Sequence, residues 1–398
     1  MRRAVIVDAL RTPFGKGREG GALSGVHPVD LLAHVLEVLV ERTGVDAALI
    51  DDVIAGCGIP VAEQGGNIAR HALLAAGFPE SVPGISIDRK CGSSQQAVHF
   101  AAQGVMAGAY DVVVACGVEM MSVVPMKANR MGRDDRGPRL QRRYPEGLVT
   151  QGISAELIAA KWNLKRQALD DYALRSHRLA AAARADGRLA REIVAVEVPG
   201  ADGAMVTVEH DEGIRPDTSL EKLAGLRPVF QDEEAGRRFP QVRWVVTAGN
   251  SSPTTDGASA VLVMAEDRAE ALGLAPRAFV NHFALAGDDP IYMLTGIIPA
   301  TAKVLEQAGL AIDDMDVCEV NEAFASVVLA WLVETGADPE RVNPRGGAIA
   351  FGHPVGASGG RLMASAVNAL EQGGGRYALV VMCESGGMAN ATILERAG

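Results

Sequence analysis

Apolar residues recur along the chain in two alternating rhythms. Short runs rich in Val, Ile and Ala, namely AVIVDAL (residues 4–10), DDVIAGC (51–57), GISID (84–88) and YDVVVACG (110–117), predict β-strands. Between them LLAHVLEVLVERTG (31–44) and SSQQAVHFAAQGVMAG (93–108) place apolar positions at helical spacing. The second half repeats the order. RAFVNHFAL (277–285), DVCEV (316–320) and YALVVMC (377–383) predict strands, and PATAKVLEQAG (299–309) and SGGRLMASAVNALEQG (358–373) predict helices.

The repetition extends to residues. VLVERTGVDAALIDDV (38–53) echoes VLEQAGLAIDDMDV (304–317). A helix and then a strand separate Cys91 from Cys116 by 25 residues, and the same pair separates Ala357 from Cys383 by 26. Two similar α/β units, related by duplication, are expected. A different region lies between them, charged and predicted helical at SAELIAAKWNL (154–164) and QALDDYALRSHRLAAAARADG (167–187). It reads as an insertion that covers a site. GNSSPTTDGASAVLVM (249–264) returns to strand-like sequence and completes the first unit. The expected division is 1–122 with 248–275, an inserted 123–247, and 276–398.

Composition narrows the class. Of 398 residues, 48% are hydrophobic but 4% aromatic, which suits a packed α/β protein better than an aromatic-rich sandwich. The net charge of −11 argues against nucleic acid or an anionic membrane as partner. One basic stretch, KANRMGRDDRGPRLQRR (127–143), is either a solvated loop or a local contact for a polyanionic ligand. The five cysteines are odd in number, widely spaced and without a CxxC pair, which predicts a reducing cytoplasm with thiols buried or chemically used. MRRAVIVDALRTP reads as a first strand rather than a signal peptide, and no apolar run approaches membrane-spanning length.

Four residues carry candidate chemistry. Cys91, in SIDRKCGSSQQAV, falls between a strand and a helix; free N–H groups there favour thiolate over thiol, below the reference of about 8.5. The alternative is a buried structural cysteine. Cys383 ends an apolar strand in LVVMCESGG, where α/β folds place active groups, although Cys116 occupies the analogous position in the first unit. His353 lies in AFGHPVGASGG (350–360), which lacks both GxGxxG and a Walker lysine, so a positioned base fits this loop better than a phosphate cradle. Asn321, in CEVNEAFASVVL, follows a strand and is placed to cap a helix.

DRKCGSSQQA, GNSSPTTDGASA, NEAFA and GHPVGASGGR, in this order, resemble the thiolases, the family of acetyl-CoA acetyltransferase and 3-ketoacyl-CoA thiolase. The resemblance runs from VIVDALRTPFGK to the closing strand. It implies an α/β thiolase-like fold of two duplicated α-β-α-β-α halves with a loop domain inserted in the first. It implies reversible, CoA-dependent interconversion of 3-ketoacyl-CoA with acyl-CoA and acetyl-CoA. Cys91 would be the nucleophile, His353 its base, and Cys383 the base for the carbon. His353 and an Asn321-bound water would hold the enolate oxygen, and the N–H groups of Cys91 and Ser385 the acyl-enzyme oxyanion. Arg215 would meet the adenosine end of CoA, Ser252 the pantetheine, and Phe230, Met293 and Phe324 the tunnel wall. Coenzyme A would serve as substrate and product, with no tightly bound cofactor, no metal, and a homodimer or homotetramer as the assembly.

The sequence departs from the family in two places. Thiolases commonly end with CIGGG, but here CESGG puts Glu384 and Ser385 beside Cys383; a glycine requiring positive φ would leave Ser385 strained. HMGxTAE is replaced by TQGISAE, which implies an acyl range wider than acetyl. Two alternatives stand beside a degradative thiolase. A ketoacyl-synthase-type condensing enzyme would lack the second cysteine, and a non-catalytic CoA-binding scaffold would not need the four reactive residues.

Overall fold

The apolar runs become strands because helices cover both faces of the sheet they form. A computed structural model describes residues 2–200 and 203–398; residues 1, 201 and 202, which fall within the predicted units, lie outside the described residues. The strands are β1 (Ala4–Arg11), β2 (Gly15–Lys16), β3 (Asp52–Gly56), β4 (Gly84–Ile87), β5 (Val112–Met120), β6 (Val196–Pro199), β7 (Met205–Val208), β8 (Thr255–Ala265), β9 (Ala278–Gly287), β10 (Val317–Val320), β11 (Tyr377–Glu384) and β12 (Met388–Arg396). Every residue of β1, β5 and β8 is buried, so these runs are largely apolar rather than alternating, and their few polar residues are buried with them.

The sheet order is β10-β11-β12-β9-β1-β8-β5-β3-β4, with β2 attached to β8. This order contains the duplication. β1-β8-β5-β3 in the first part matches β9-β12-β11-β10 in the second, and antiparallel pairing of β1 with β9 joins them. Pair directions match as well: β3–β5 and β10–β11 are parallel, whereas β5–β8 and β11–β12 are antiparallel. The parallel neighbour of β3 on its outer side is β4; the corresponding feature beside β10 is a single bridge from Cys318 to Val342.

The echoed segments adopt one supersecondary unit. Helix Pro28–Thr43, a 3₁₀ turn at Ala47–Leu49 and β3 match helix Ile297–Ala308, a 3₁₀ turn at Ile312–Asp314 and β10. Each helix ends on a glycine in left-handed backbone, Gly44 at φ 68° and Gly309 at φ 65°, where a side chain would be strained. Between the paired strands β5 and β8 the chain runs through several helices and the β6–β7 hairpin.

Part of this excursion is tied to β1 by buried charge. Arg11 donates from Nε to Glu192 (2.9 Å) and from both terminal nitrogens to Asp211 (2.6 and 2.9 Å), with all three side chains fully buried. Arg11→Met would strand two carboxylates in the core. It is expected to destabilise the fold by about 3–5 kcal/mol, read as a lower urea midpoint at unchanged slope.

Two helices bring the halves together at their N-termini. Helices Ser93–Met106 and Ser358–Gly373 pack against each other beneath the sheet. Gly360 donates its N–H to Ser94 Oγ at 3.0 Å, and a Cβ at Gly359 would lie 2.3 Å from the Gln95 nitrogen. The glycines of the His353 loop therefore serve close helix approach.

Candidate active site

Cys91 closes a tight turn between β4 and helix Ser93–Met106. Lys90 takes a left-handed φ of 50°, held by its N–H on Asp88 Oδ1 at 2.8 Å. Ser93 Oγ accepts from the Arg89 N–H (2.9 Å) and donates to the Lys90 carbonyl (2.6 Å). The thiol itself is buried, as are the other four free cysteines.

His353 is fixed from three directions. Gly352 turns the chain at φ 108°, and a Cβ there would lie 2.3 Å from Thr255 Oγ1. That same oxygen accepts the His353 N–H at 2.9 Å. On the ring, Nδ1 meets Ser358 Oγ at 2.6 Å, and Ser358 Oγ donates to the Pro354 carbonyl at 2.9 Å. The serine proton is thus committed, so Nδ1 carries the ring hydrogen and Nε2 presents a lone pair. Nε2 faces Asn321 Nδ2 at 3.4 Å, and the Asn321 side chain is also near enough to Cys383 to favour its thiolate. Ser358→Ala should release this tautomer. Its expected signature is a kcat lowered about tenfold or more with KM little changed, measured by steady-state thiolysis.

Glu119, at the end of β5, joins the two sides. Its Oε2 accepts N–H groups from Gly58 (2.7 Å) and Gly356 (2.9 Å), and Oε1 accepts from Gln64 at 2.7 Å.

Burial governs the charges. The Cys91 thiol is pushed up by desolvation first, then by its coupling to Cys383 and Glu384, whose ionised forms would repel a thiolate, against the opposing N–H groups of Ser385 and Cys91 itself. This corrects the expectation that the helix start favours thiolate: the helix begins one residue later at the Gly92 cap, and burial outweighs its N–H groups. Cys383 is likewise pushed up to about 12, mainly by burial. Burial, then the Arg361 charge, hold His353 down to about 3, so the imidazole is neutral and able to accept a proton. Asn321 is not a helix cap. The N-cap position of helix Ala325–Thr335 is Phe324, three residues on, and Asn321 Nδ2 instead meets His353.

A cavity of about 460 Å3 opens onto Cys91. Phe230, Met293 and Phe324 line it together with Ser385, and the rings of Phe230 and Phe324 meet edge to face at 5.8 Å. Gly152 makes room for Phe230, because a Cβ there would lie 2.2 Å from its ring. Thr150, Gln151 and Gly152 also border the cavity; TQGISAE is the capped first turn of helix Gln151–Lys161. Lys127, Arg130 and Arg136 of the basic stretch line the same cavity. Arg215 and Ser252 lie outside the lining. Arg215 is exposed and donates its backbone N–H to His177, whereas Ser252 Oγ donates to the Ala323 carbonyl. Ser385 has ordinary backbone; the positive φ angles fall on Gly386 (93°) and Gly387 (81°). No group of His, Cys, Asp and Glu among the described residues is arranged to hold a metal ion.

Two family models match nearly the whole chain: the thiolase N-terminal domain over residues 4–267 and the thiolase C-terminal domain over residues 274–396. The chain belongs to the thiolase family. This thiolase is 48% identical to the steroid 3-ketoacyl-CoA thiolase FadA6 of Mycobacterium tuberculosis over 100% of this chain and 95% of that protein. It is 44% identical to a 3-ketoacyl-CoA thiolase of Pseudoalteromonas translucida, over 100% and 99%. Among solved structures, a Bacillus anthracis acetyl-CoA acetyltransferase superposes with a TM-score of 0.89 at 36% identity, covering 100% of this chain and 99% of that one. Human mitochondrial 3-ketoacyl-CoA thiolase superposes with a TM-score of 0.88 at 34% identity, with the same coverage. The protein is an acyltransferase that carries out CoA-dependent thiolytic cleavage or condensation of acyl-CoA.

Sequence reasoning passed over two residues of this thiolase site, Ser358 and Glu119. Ser358 stands five positions after His353 in the quoted glycine loop, and Glu119 is the one acid in the apolar run VVVACGVEMM. An acid ending such a strand is a readable sign of a buried polar contact.

Proposed function

We propose that this thiolase cleaves 3-ketoacyl-CoA through an acyl-Cys91 intermediate, with Cys383 as the acid and base for carbon. The observation that carries the reading is Asn321 Nδ2 set against His353 Nε2 at 3.4 Å, with the same Asn321 side chain near enough to favour a thiolate at Cys383 and Cys383 itself a neighbour that disfavours a thiolate at Cys91. The Cys91 sulfur attacks the 3-keto carbon as its proton passes to His353 Nε2. The C2–C3 bond breaks, and Cys383 delivers its proton to the departing carbon, releasing acetyl-CoA. CoA thiol then attacks the acyl-Cys91 thioester and gives its proton to the Cys383 thiolate. Cys91 leaves and recovers its proton from His353. Exchange of one thioester for another is nearly thermoneutral, so the same groups serve condensation.

Oxygen charge develops twice. The N–H groups of Cys91 and Ser385 would hold the oxyanion at the acyl carbon; both already favour negative charge on the Cys91 sulfur. His353 Nε2 and a water on Asn321 would hold the enolate oxygen. Asn321 Oδ1 is buried with no protein partner, which supports a water seat there. Phe230, Met293 and Phe324 would wall the acyl and pantetheine path, and the exposed Arg215 and the half-buried Ser252 would meet CoA farther out.

The cavity volume and its apolar rings support an acyl group larger than acetyl, and the name of the 48% identical relative supports a bulky one. The unit boundaries 1–122 with 248–275, 123–247 and 276–398, a degradative role, a homodimer or homotetramer, a cytoplasmic location and the lack of a tightly bound cofactor complete the proposal. No helix among the described residues is long and apolar enough to cross a membrane. The test is thiolysis of a 3-ketoacyl-CoA series with free CoA. kcat/KM should rise from acetoacetyl-CoA to longer substrates, and a maximum at acetoacetyl-CoA would overturn the acyl assignment.

A further inference from the structure

The CESGG segment contributes a carboxyl that the reaction above does not use. Glu384 ends β11, and its side chain is fully buried against the back of the Cys91 turn. The approach is close: a Cβ at Gly92 would lie 2.1 Å from Glu384 Oε1 and 2.9 Å from Asn390 Nδ2. Asn390, on β12, donates Nδ2 to the Gly92 carbonyl at 3.1 Å. Neither oxygen of Glu384 has a hydrogen-bond partner, and neither has Asn390 Oδ1. Three buried acceptors therefore gather behind one turn with no donor among them, an arrangement that costs stability as long as all three remain acceptors. One proton on Glu384 turns an acceptor into a donor and resolves the conflict.

The charges facing this carboxyl come from few places. On the Cys91 turn Arg89 lies 3.9 Å away with its side chain 28% exposed, and Asp88 is itself paired with Lys90. Cys91 on that turn and Cys383 on β11 both feel a charge on Glu384, while Asn390 on β12 and Gly92 bring none.

We propose that Glu384 is a positioning residue that works as the neutral acid, bonding the Asn390 amide that holds Gly92, and that its loss of a proton sets the alkaline limit of activity. Burial pushes the acid up to about 8, with Asp88 adding to the rise and Arg89 opposing it. Once ionised, the carboxylate sits beside both thiols and disfavours the thiolates and oxyanions that the reaction forms.

This inference rests on the reading of Cys91 as nucleophile, so the test separates the two. kcat/KM for acetoacetyl-CoA thiolysis is followed from pH 6 to 10, with acylation of Cys91 tracked by intact mass, in the wild type, Glu384→Gln, Glu384→Leu and Arg89→Met. The wild type is expected to fall about tenfold per pH unit above its limb. Glu384→Gln, which keeps a donor and cannot ionise, should lose that limb. Arg89→Met should move it to higher pH, because the cation that favours the carboxylate is gone. Glu384→Leu should lower kcat below the alkaline limb, where the wild-type acid is neutral, with Gln restoring what Leu loses. Turnover without acyl-Cys91 in any variant would sink the nucleophile assignment. Acyl-Cys91 formation with an unchanged alkaline limb in Glu384→Gln would overturn only the role of Glu384.

Discussion

Cys91→Ala is expected to abolish thiolysis, lowering kcat by about 10⁴-fold or more while 3-ketoacyl-CoA still binds. The size of the loss follows from the surroundings. Cys91 is the sulfur that faces the cavity, and a water in its place would lead to hydrolysis rather than transfer. The buried thiol is also held protonated at rest, so the proposed reaction needs proton transfer to a neutral His353 inside the complex. Loss of acetoacetyl-CoA absorbance with added CoA reads the rate, and calorimetric titration reads the binding. Retention of even a hundredth of wild-type turnover would remove Cys91 from the central role.

Cys383→Ala should split the reaction in two. Transfer of acetyl from acetyl-CoA to Cys91 needs no proton at carbon, so acyl-enzyme formation is expected to remain within about tenfold of wild type. Thiolysis and condensation both need that proton and are expected to fall about 10³–10⁴-fold. The most direct measurement is exchange of the acetyl-CoA methyl hydrogens with deuterated solvent, which should vanish in Cys383→Ala and persist in the wild type. Exchange surviving in the variant would assign the carbon base elsewhere. The buried position of Cys383 would suit a thiol raised to about 12 to this weakly acidic carbon: a base of high proton affinity matches a reluctant acid.

Much of this was legible in the residues. Largely apolar runs such as those of β1 and β5 gave strands because both faces are covered, and that pattern survives without any knowledge of partners. The echo between residues 38–53 and 304–317 carried the topology, since the same helix, 3₁₀ turn and strand recur with the same capping glycine. Cys91, Cys383, His353 and Asn321 stood out because motif and chemistry agreed. What the residues concealed was burial. A cysteine ahead of a helix reads as activated, yet desolvation reverses that sign once the turn is packed beneath Glu384 and Cys383. Asn321 reads as a cap, but its amide faces His353, 32 positions away. Ser385 reads as strained only until the two glycines after it take up the turn.

The contact of Gly359 with Gln95 and of Gly360 with Ser94 ties reaction geometry to the docking of one half on the other. In the proposed mechanism the sulfur and the imidazole sit on opposite banks of that joint, so slippage along it would lengthen the path of the transferred proton. Turnover is therefore a sensitive gauge of the joint's rigidity, and substitutions far from substrate that loosen it will register as slow chemistry before they register as unfolding.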